Sequence, residues 1–234
     1  TIGDLGCLSF HETKNVTCGE GGALLISRRD WVERAEIIQE KGTNRSKFLR
    51  GEVDKYTWVD LGSSFLTSDI SAAFLWAQIE HSQEILARRR AIWNAYHERL
   101  AELERDGRLR RPTVPEDCAH NAHMYYLLLE DRSWRDRLID ALAAQNIQAL
   151  FHYVPLHSSV AGRRFGRVAG ELPITDRAGQ ALVRLPLWVG IEEQQIERVC
   201  RAVEDALRAR STSRRLGHEA RPAHRQIETP VTSR

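Results

Sequence analysis

Two short apolar stretches near the start of the chain, LGCLSF and ALLIS, flank a polar loop and a glycine-rich turn, HETKNVT and CGEGG. Short apolar stretches bounded by turn residues predict β-strands, and the glycines of CGEGG can adopt the positive φ angles of a tight reversal. We therefore expect a strand, a loop and a returning strand. This arrangement constrains the fold because it places a lysine, Lys14, in the loop that directly follows the first strand.

The sequence after this hairpin alternates helical patterns with one long polar connection. DWVERAEIIQEKG predicts a short helix with Asp30 as its N-cap and Gly42 at its end. The connection that follows, residues 43–69, has no convincing period, and long ordered connections are often functional. From Ser68 onward apolar residues recur at helical spacing, which predicts one long helix, straight or kinked, linking two domains.

The second half of the chain predicts a small α+β domain. The stretches HMYYLLLE, IQALFHYVPL and ALVRLPLW predict strands, whereas SWRDRLIDALAAQ and EEQQIERVCRAVEDALRA predict helices with one apolar face. Residues 211–234 are rich in Ser, Thr, Pro, Arg and His without apolar periodicity, which predicts a disordered tail. The expected organisation is two folded regions, 1–88 and 89–210, followed by this tail.

The composition excludes several classes of function. The chain has 34 Lys and Arg against 32 Asp and Glu, and no stretch is as basic as a nucleic-acid groove. Its four cysteines have irregular spacing, which favours buried free thiols over a metal site or disulfides. No run approaches the roughly 20 apolar residues of a membrane-spanning helix, and no signal-peptide pattern occurs. We therefore expect a cytoplasmic protein that binds no metal, nucleic acid or membrane.

The residues around Lys14 in the sequence indicate a chemical role for it. Most lysines in loops are surface residues without a chemical role. Here, however, Ser9 and Thr13 offer hydroxyl groups nearby, and His11 offers a titratable ring. The nearby glycines allow a ligand to approach the backbone closely. A desolvated lysine amine can form a Schiff base with an aldehyde. The setting therefore suits the cofactor pyridoxal phosphate (PLP).

LGCLSFHETKNVTCGEGGALL closely resembles the Schiff-base lysine segment of the sugar aminotransferases of the DegT/DnrJ/EryC1/StrS family, in which Ser-Phe-His-x-x-Lys-Asn is followed by Gly-Glu-Gly-Gly. The resemblance extends over residues 2–209. It implies an α/β architecture, the PLP-dependent transferase fold type I of aspartate aminotransferase. Residues 1–88 would be the C-terminal part of the large PLP-binding domain, and residues 89–210 the small C-terminal α+β domain.

Three further stretches, KYTWVDLGSSFLTSDISAAFLWAQ, NAHMYYLLL and FHYVPLH, resemble one branch of this family. That branch aminates dTDP-4-dehydro-6-deoxy-D-glucose to dTDP-4-amino-4,6-dideoxy-D-galactose, a precursor of enterobacterial common antigen and related lipopolysaccharide glycans. The resemblance implies PLP as cofactor, a dTDP-linked keto sugar and L-glutamate as substrates, and a homodimer with shared active sites.

The resemblance also implies roles for individual residues. Lys14 would hold PLP covalently and then act as the base that moves the proton, and Ser9 would bind the cofactor phosphate. His11 would orient the cofactor or substrate, unless it is a hydrogen-bonded loop residue. The family often uses an asparagine to reach the neighbouring subunit's cofactor phosphate. In that region this chain has Ser63 and Ser64, of which Ser64 is the candidate, and a helix N-cap at Ser68 would explain part of the stretch equally well. His152 and His157 would face the nucleotide sugar, with satisfied structural histidines as the alternative.

The family places further cofactor contacts upstream of the lysine segment, among them an Asp that pairs with the pyridinium nitrogen. The chain opens on the strand before Lys14, so we expect it to correspond to the C-terminal part of the enzyme. Two alternatives stay open. One is an aminotransferase for another nucleotide keto sugar, and the other is a catalytically incompetent fragment that serves as a dimerisation or interaction module.

Overall fold

The computed structural model describes residues 2–208, so the predicted tail at 211–234 lies outside the described residues. The described chain divides into two compact units. The first comprises the chain up to Glu98 together with Pro112–Tyr125 and Pro186–Glu192, and the second comprises Arg99–Arg111, Tyr126–Leu185 and the chain from Glu193 onward.

The first unit begins with a hairpin and continues as helices. Its regular elements are β1 (Leu5–Ser9), β2 (Gly22–Ile26), α1 (Val32–Gln39), α2 (Arg45–Leu49), α3 (Asp69–Glu80) and α4 (Ser82–Arg99), with a 3₁₀ turn at Arg29–Trp31. β1 and β2 pair antiparallel with Ser9 opposite Gly22, as the sequence predicts. Gly19 has a φ of 82°, which supplies the positive angle that the turn requires.

The helix after the hairpin begins later than predicted. Asp30 does not cap it, because its carboxylate is bound by the Arg28 guanidinium, with 2.5 Å between Arg28 Nη2 and Asp30 Oδ2. The N-cap position of α1 is instead Trp31, which makes no side-chain capping hydrogen bond. The long connection also contains a helix, α2, that its sequence did not indicate. At Ser68 the expectation is confirmed, since its side chain accepts a hydrogen bond from Ser71 N.

The second unit contains the described sheet of three strands. Its regular elements are α5 (Ala101–Arg105), β3 (Tyr125–Leu128), α6 (Arg132–Ala143), β4 (Leu150–Phe151), α7 (Val160–Phe165), α8 (Pro173–Ala181), β5 (Leu182–Leu185) and α9 (Glu193–Arg208), with a 3₁₀ turn at Leu156–Ser158. The strand order is β3-β5-β4, and β4 and β5 are antiparallel. The predicted strand IQALFHYVPL is reduced to the two residues of β4.

The helix predicted from Ser68 onward is interrupted at two places. α3 ends at Glu80 and α4 ends at Arg99, so His81 separates α3 from α4 and Leu100 separates α4 from α5. The core of the second unit lies among α6, β3, β5 and α9, and its members are almost completely buried: Leu127, Leu138, Leu142, Val183, Ile196 and Val203. Among residues 2–208, no helix combines the length and the apolar character needed to cross a bilayer.

Candidate functional site

Lys14 lies in an exposed loop between β1 and β2 whose base is closed by backbone hydrogen bonds. Phe10 N donates to Gly21 O at 2.8 Å, and Cys18 N donates to Phe10 O at 2.9 Å. Within the loop, Lys14 N donates to His11 O at 2.9 Å. The lysine therefore stands on a defined turn with its side chain open to a ligand.

Ser9 and His11 belong to the same loop. Ser9 is the last residue of β1, and its Oγ accepts from His11 N at 3.4 Å. His11 Nδ1 accepts from Thr13 N at 3.2 Å, so the neutral ring carries its proton on Nε2. That nitrogen faces Glu20 Oε1 at 3.4 Å. Both ring nitrogens of His11 thus have partners inside the loop and its hairpin turn.

The residue after Lys14 ties the loop to a distant segment of the first unit. Asn15 Nδ2 donates to Asn121 O at 2.6 Å, and Asn15 Oδ1 lies 3.1 Å from His123 Nδ1. Sequence reasoning did not single out Asn15 or His123. Both lie in stretches that carry the family resemblance, SFHETKN and NAHMYYLLL, so the signal was present without a role attached to it.

Ser64 lies elsewhere in the first unit, beside the end of α1. It is exposed and forms an isolated antiparallel bridge with Glu40. The neighbouring Ser63 N donates to Ile38 O at 2.9 Å, and Phe65 N donates to Gln39 O at 3.0 Å. The chain around Ser64 is therefore held along the C-terminal turn of α1.

The connection that leads to Ser64 is compact. A Cβ added to Gly42 would lie 1.8 Å from Asp60 O, and Gly42 has a φ of 78°, so glycine is required there. Glu40 is buried, and its carboxylate accepts from Arg45 Nη1 at 3.1 Å and from Ser46 Oγ at 3.4 Å. These contacts explain why a stretch without helical period still adopts an ordered structure.

His152 lies in the second unit, immediately after β4, and is half-buried. Its Nδ1 is buried and has no hydrogen-bond partner among the described residues. Burial lowers the pKa of His152, and the positive charge of Arg184 lowers it further. A neutral imidazole with an unused nitrogen is suited to a polar group of a ligand.

His157 is differently placed in the same unit. It lies in the 3₁₀ turn Leu156–Ser158, and its Nε2 is 3.0 Å from Asp176 Oδ1. Its side chain is only 18% exposed. The Asp176 carboxylate fixes the ring, so His157 has a partner where His152 Nδ1 has none.

The structure brings Ser9, His11 and Lys14 together on one loop. Ser64 is on a separate segment of the first unit, and His152 and His157 belong to the second unit. Within the described residues 2–208, no cluster of three or more His, Cys, Asp or Glu side chains could hold a metal ion. Cys18 and Cys200 are buried free thiols, as the spacing predicts, whereas Cys7 and Cys118 are exposed.

The sequence matches the model of the DegT/DnrJ/EryC1/StrS aminotransferase family over residues 1–204. A curated relative, the uncharacterized protein MJ1066 of Methanocaldococcus jannaschii, is 29% identical over 211 residues. That alignment covers 87% of this chain and 54% of MJ1066, so the chain spans about half the length of the curated relative it matches.

Solved structures share the fold. The aminotransferase TlmJ from Streptoalloteichus hindustanus superposes with a TM-score of 0.78 at 26% identity, covering 90% of this chain and 54% of TlmJ. Spr1654 of Streptococcus pneumoniae, which is assigned as a sugar aminotransferase, was solved in its PLP form. It gives a TM-score of 0.74 at 21% identity, covering 89% of this chain and 53% of Spr1654. The chain therefore has the architecture of the corresponding half of these proteins.

Proposed function

The chain belongs to the DegT/DnrJ/EryC1/StrS aminotransferase family and has its fold type I architecture, and on this premise we propose that its protein transfers an amino group to a keto sugar with PLP as cofactor. Aminotransferases of this family depend on PLP. The observation that carries the proposal is the position of Lys14, exposed on a loop that is closed at its base by Phe10 and Cys18.

The donor set of the loop fits this cofactor. An aldehyde requires a primary amine, which Lys14 supplies. A phosphate group requires hydrogen-bond donors, and the exposed hydroxyl of Ser9, the last paired residue of β1, supplies one. When bound, PLP withdraws electrons from the carbon that carries the transferred amino group.

Lys14 then has two tasks. Its Nζ first holds the cofactor covalently, and once displaced it accepts and returns the proton at the carbon that carries the amino group. An amine on one side of the reacting carbon can accept the proton there and return it, so it can serve both directions of transfer. The short turn from His11 O to Lys14 N keeps the backbone beneath this amine in place.

His11 and Ser64 complete the cofactor contacts in the proposal. Both nitrogens of His11 already have partners in Thr13 and Glu20, so His11 would contact the cofactor with the face of its ring. Ser64 is exposed and would bind the cofactor phosphate of a second copy of the chain, in a homodimer.

We assign the sugar side of the reaction to the second unit. His152 carries the buried, unpartnered Nδ1 and would bind the hexose or the diphosphate. His157, which Asp176 holds in place, would present the rest of its ring to the same substrate. The proposed substrates are dTDP-4-dehydro-6-deoxy-D-glucose and L-glutamate, in the cytoplasm. The support for them is the similarity of three stretches, KYTWVDLGSSFLTSDISAAFLWAQ, NAHMYYLLL and FHYVPLH, to that branch of the family.

A dimerisation module without catalysis is the second candidate. The observation that favours it is the exposed apolar surface of α3, where Ile70 is 85% and Trp76 is 65% exposed. A module of this kind would associate with a second copy through α3 and would show no preferential chemistry at Lys14.

Covalent trapping of the cofactor tests the proposal. The chain contains four lysines, Lys14, Lys41, Lys47 and Lys55, so borohydride reduction in the presence of PLP followed by peptide mass mapping reports every possible site. We expect absorbance above about 400 nm that disappears on reduction, with the adduct on Lys14. Lys14→Arg should abolish both signals while it keeps the positive charge.

Lys47→Arg is the matched control, because Lys47 Nζ pairs with Glu33 Oε1 at 2.6 Å and lies outside the Lys14 loop. This variant should bind PLP as the unsubstituted protein does. Equal labelling of all four lysines would contradict the proposal and favour the module. Conversion of the dTDP-keto sugar with glutamate, monitored by mass spectrometry, then distinguishes this substrate from other nucleotide keto sugars.

A further inference from the structure

The Lys14 loop is fixed at its base but would be free at its tip without a second attachment. Its base is held by the hydrogen bonds of Phe10 with Gly21 and Cys18, and Thr17 Oγ1 adds a third bond to Phe10 O at 3.1 Å. Lys14 itself is near the far end of the loop. The position of its backbone therefore depends on what holds the tip.

Asn15 supplies that attachment, and both atoms of its amide are used. Asn121 O can only accept a hydrogen bond, so the atom of Asn15 that faces it at 2.6 Å is the donor Nδ2. The amide oxygen then faces His123 Nδ1 at 3.1 Å, and this ring nitrogen must carry a proton to donate to it. One side chain thus fixes the loop tip to two residues more than 100 positions away.

The receiving segment is itself held by side chains. Four consecutive carbonyl groups, those of residues 120–123, each accept a hydrogen bond from a side chain. Arg90 Nε binds His120 O at 3.0 Å, and Asn15 binds the next carbonyl. Arg89 then binds the last two, with Nε 3.1 Å from Ala122 O and Nη2 2.7 Å from His123 O. Three of these four bonds therefore come from α4.

Arg89 makes this segment a rigid support. It is 8% exposed, and burial lowers its pKa, so its guanidinium relies on the two carbonyls in place of water. Charged donors form stronger hydrogen bonds than neutral ones. Ala122, whose carbonyl is one of the two that Arg89 binds, is 1% exposed and has a φ of 49°, a conformation that costs free energy for a residue other than glycine. A buried residue keeps such an unfavourable backbone conformation only where the contacts around it fix the backbone.

We propose that Asn15 is a positioning residue that holds Lys14 in place, and that Arg89 acts on Lys14 through the 121–123 segment and Asn15. This inference rests on the proposed function, since it assigns the support of the reacting amine. An amine must come within about 3–3.5 Å of the carbon it attacks, and a misplacement of about 1 Å can slow a reaction by about 100-fold. A loop fixed at both base and tip avoids that loss.

The reactivity of Lys14 relative to the other lysines tests the proposal. The full chain is incubated with PLP, reduced with borohydride at a series of times, and mapped for label at Lys14, Lys41, Lys47 and Lys55. Asn15→Ala removes both hydrogen bonds. Asn15→Asp keeps the shape and the acceptor for His123 but turns an oxygen toward Asn121 O. Each variant should lower the ratio of labelling at Lys14 to labelling at the other lysines by about tenfold.

A matched control separates positioning from general loss of stability. Asn44 is another loop asparagine of the first unit, and its Oδ1 accepts from Thr57 N at 2.7 Å, away from the Lys14 loop. Asn44→Ala should lower stability by a similar amount and leave the labelling ratio unchanged. Arg89→Lys replaces a guanidinium group that binds two carbonyls by a single ammonium group. This variant should lower the Lys14 labelling ratio less than Asn15→Ala does.

Amide hydrogen exchange gives an independent measurement without the cofactor. Peptides that cover residues 11–17 should exchange faster in both Asn15 variants than in Asn44→Ala. If exchange accelerates but the Lys14 labelling ratio stays unchanged, Asn15 is a structural tether and the inference is wrong. If Lys14 shows no preference even in the unsubstituted chain, the proposed function fails, which is a different result from failure of the positioning role alone.

Discussion

Helices α3 and α9 are both rich in apolar residues, yet they have opposite environments. α9 has six buried residues, Ile196, Val199, Cys200, Ala202, Val203 and Leu207, all on one face. α3 has no buried residue, and Ile70, Phe74, Trp76 and Ile79 are each at least 47% exposed. The difference lies in the pattern. Apolar residues in α9 form one stripe, whereas those of α3 are distributed around the helix.

This contrast shows what each unit contributes by itself. A helix with one apolar stripe can satisfy it against a single neighbour, and α9 does so against α6 in the second unit. A helix that is apolar all round needs several packing surfaces, and residues 2–208 do not provide them for α3. Burial on the apolar face of α9 also raises the pKa of the Cys200 thiol to about 12.

The largest expected effect comes from one substitution made in both helices. Ile196 is 2% exposed and Ile70 is 85% exposed. Ile196→Ala should lower the free energy of unfolding by about 3 kcal/mol, because it removes buried methyl groups and leaves a cavity. Ile70→Ala should change it by less than about 0.5 kcal/mol. Urea unfolding followed by circular dichroism measures both values.

Protein concentration sharpens this first comparison. If Ile70→Ala becomes destabilising as the concentration rises, a second copy covers α3, because association stabilises the folded state by mass action. Equal effects of the two substitutions at low concentration would contradict the contrast between the helices.

The sequence predicted the fold well where a pattern is local. The hairpin of β1 and β2, the cap at Ser68 and the buried stripe of α9 all follow from turn residues, a capping hydroxyl and helical period. Prediction failed where an ion pair between two side chains decides. Arg28 takes the Asp30 carboxylate from the helix end, and buried Glu40 orders the α2 segment through Arg45. Neither pairing has a spacing signature.

In the candidate site, too, the sequence predicted the features of a local motif and missed the contacts that side chains make. The motif around Lys14 identified the loop, its lysine and its hairpin turn. The motif could not indicate that Asn15 reaches residues 121–123, or that Arg89 holds that segment, because these contacts join residues far apart in sequence. Similarly, FHYVPLH predicted equal roles for its two histidines, whereas Asp176 distinguishes His157 from His152.

A moderate effect is expected at the N-terminus of α3, the helix without buried residues. Ser68 Oγ accepts from Ser71 N at 3.2 Å and caps the helix. Because packing contributes little to α3, the cap should be a large part of what fixes its first turn. Ser68→Ala should lower stability by about 1 kcal/mol, and Ser68→Asp should restore it. Faster amide exchange confined to the first turn of α3 is the expected signature, and unchanged exchange there would mean that the cap is dispensable.

The smallest expected effect is the pH dependence of the corresponding cap in the second unit. Asp131 Oδ1 accepts from Trp134 N at 3.0 Å and caps α6. This backbone hydrogen bond, assisted by the Ser133 hydroxyl, holds the pKa of Asp131 below its usual value of 3.8. The folded pKa is lowered, so the stabilisation is fully present above pH 3.8 and is lost as the pH falls through the folded pKa.

Asp131→Asn keeps a capping oxygen without the charge. The difference in stability between the two proteins should therefore be constant from about pH 5 to pH 7 and shrink below about pH 4, whereas the effect of Ser68→Ala should not vary with pH. A difference that stays constant down to about pH 2 would show that the charge of Asp131 contributes nothing and that the two caps act alike.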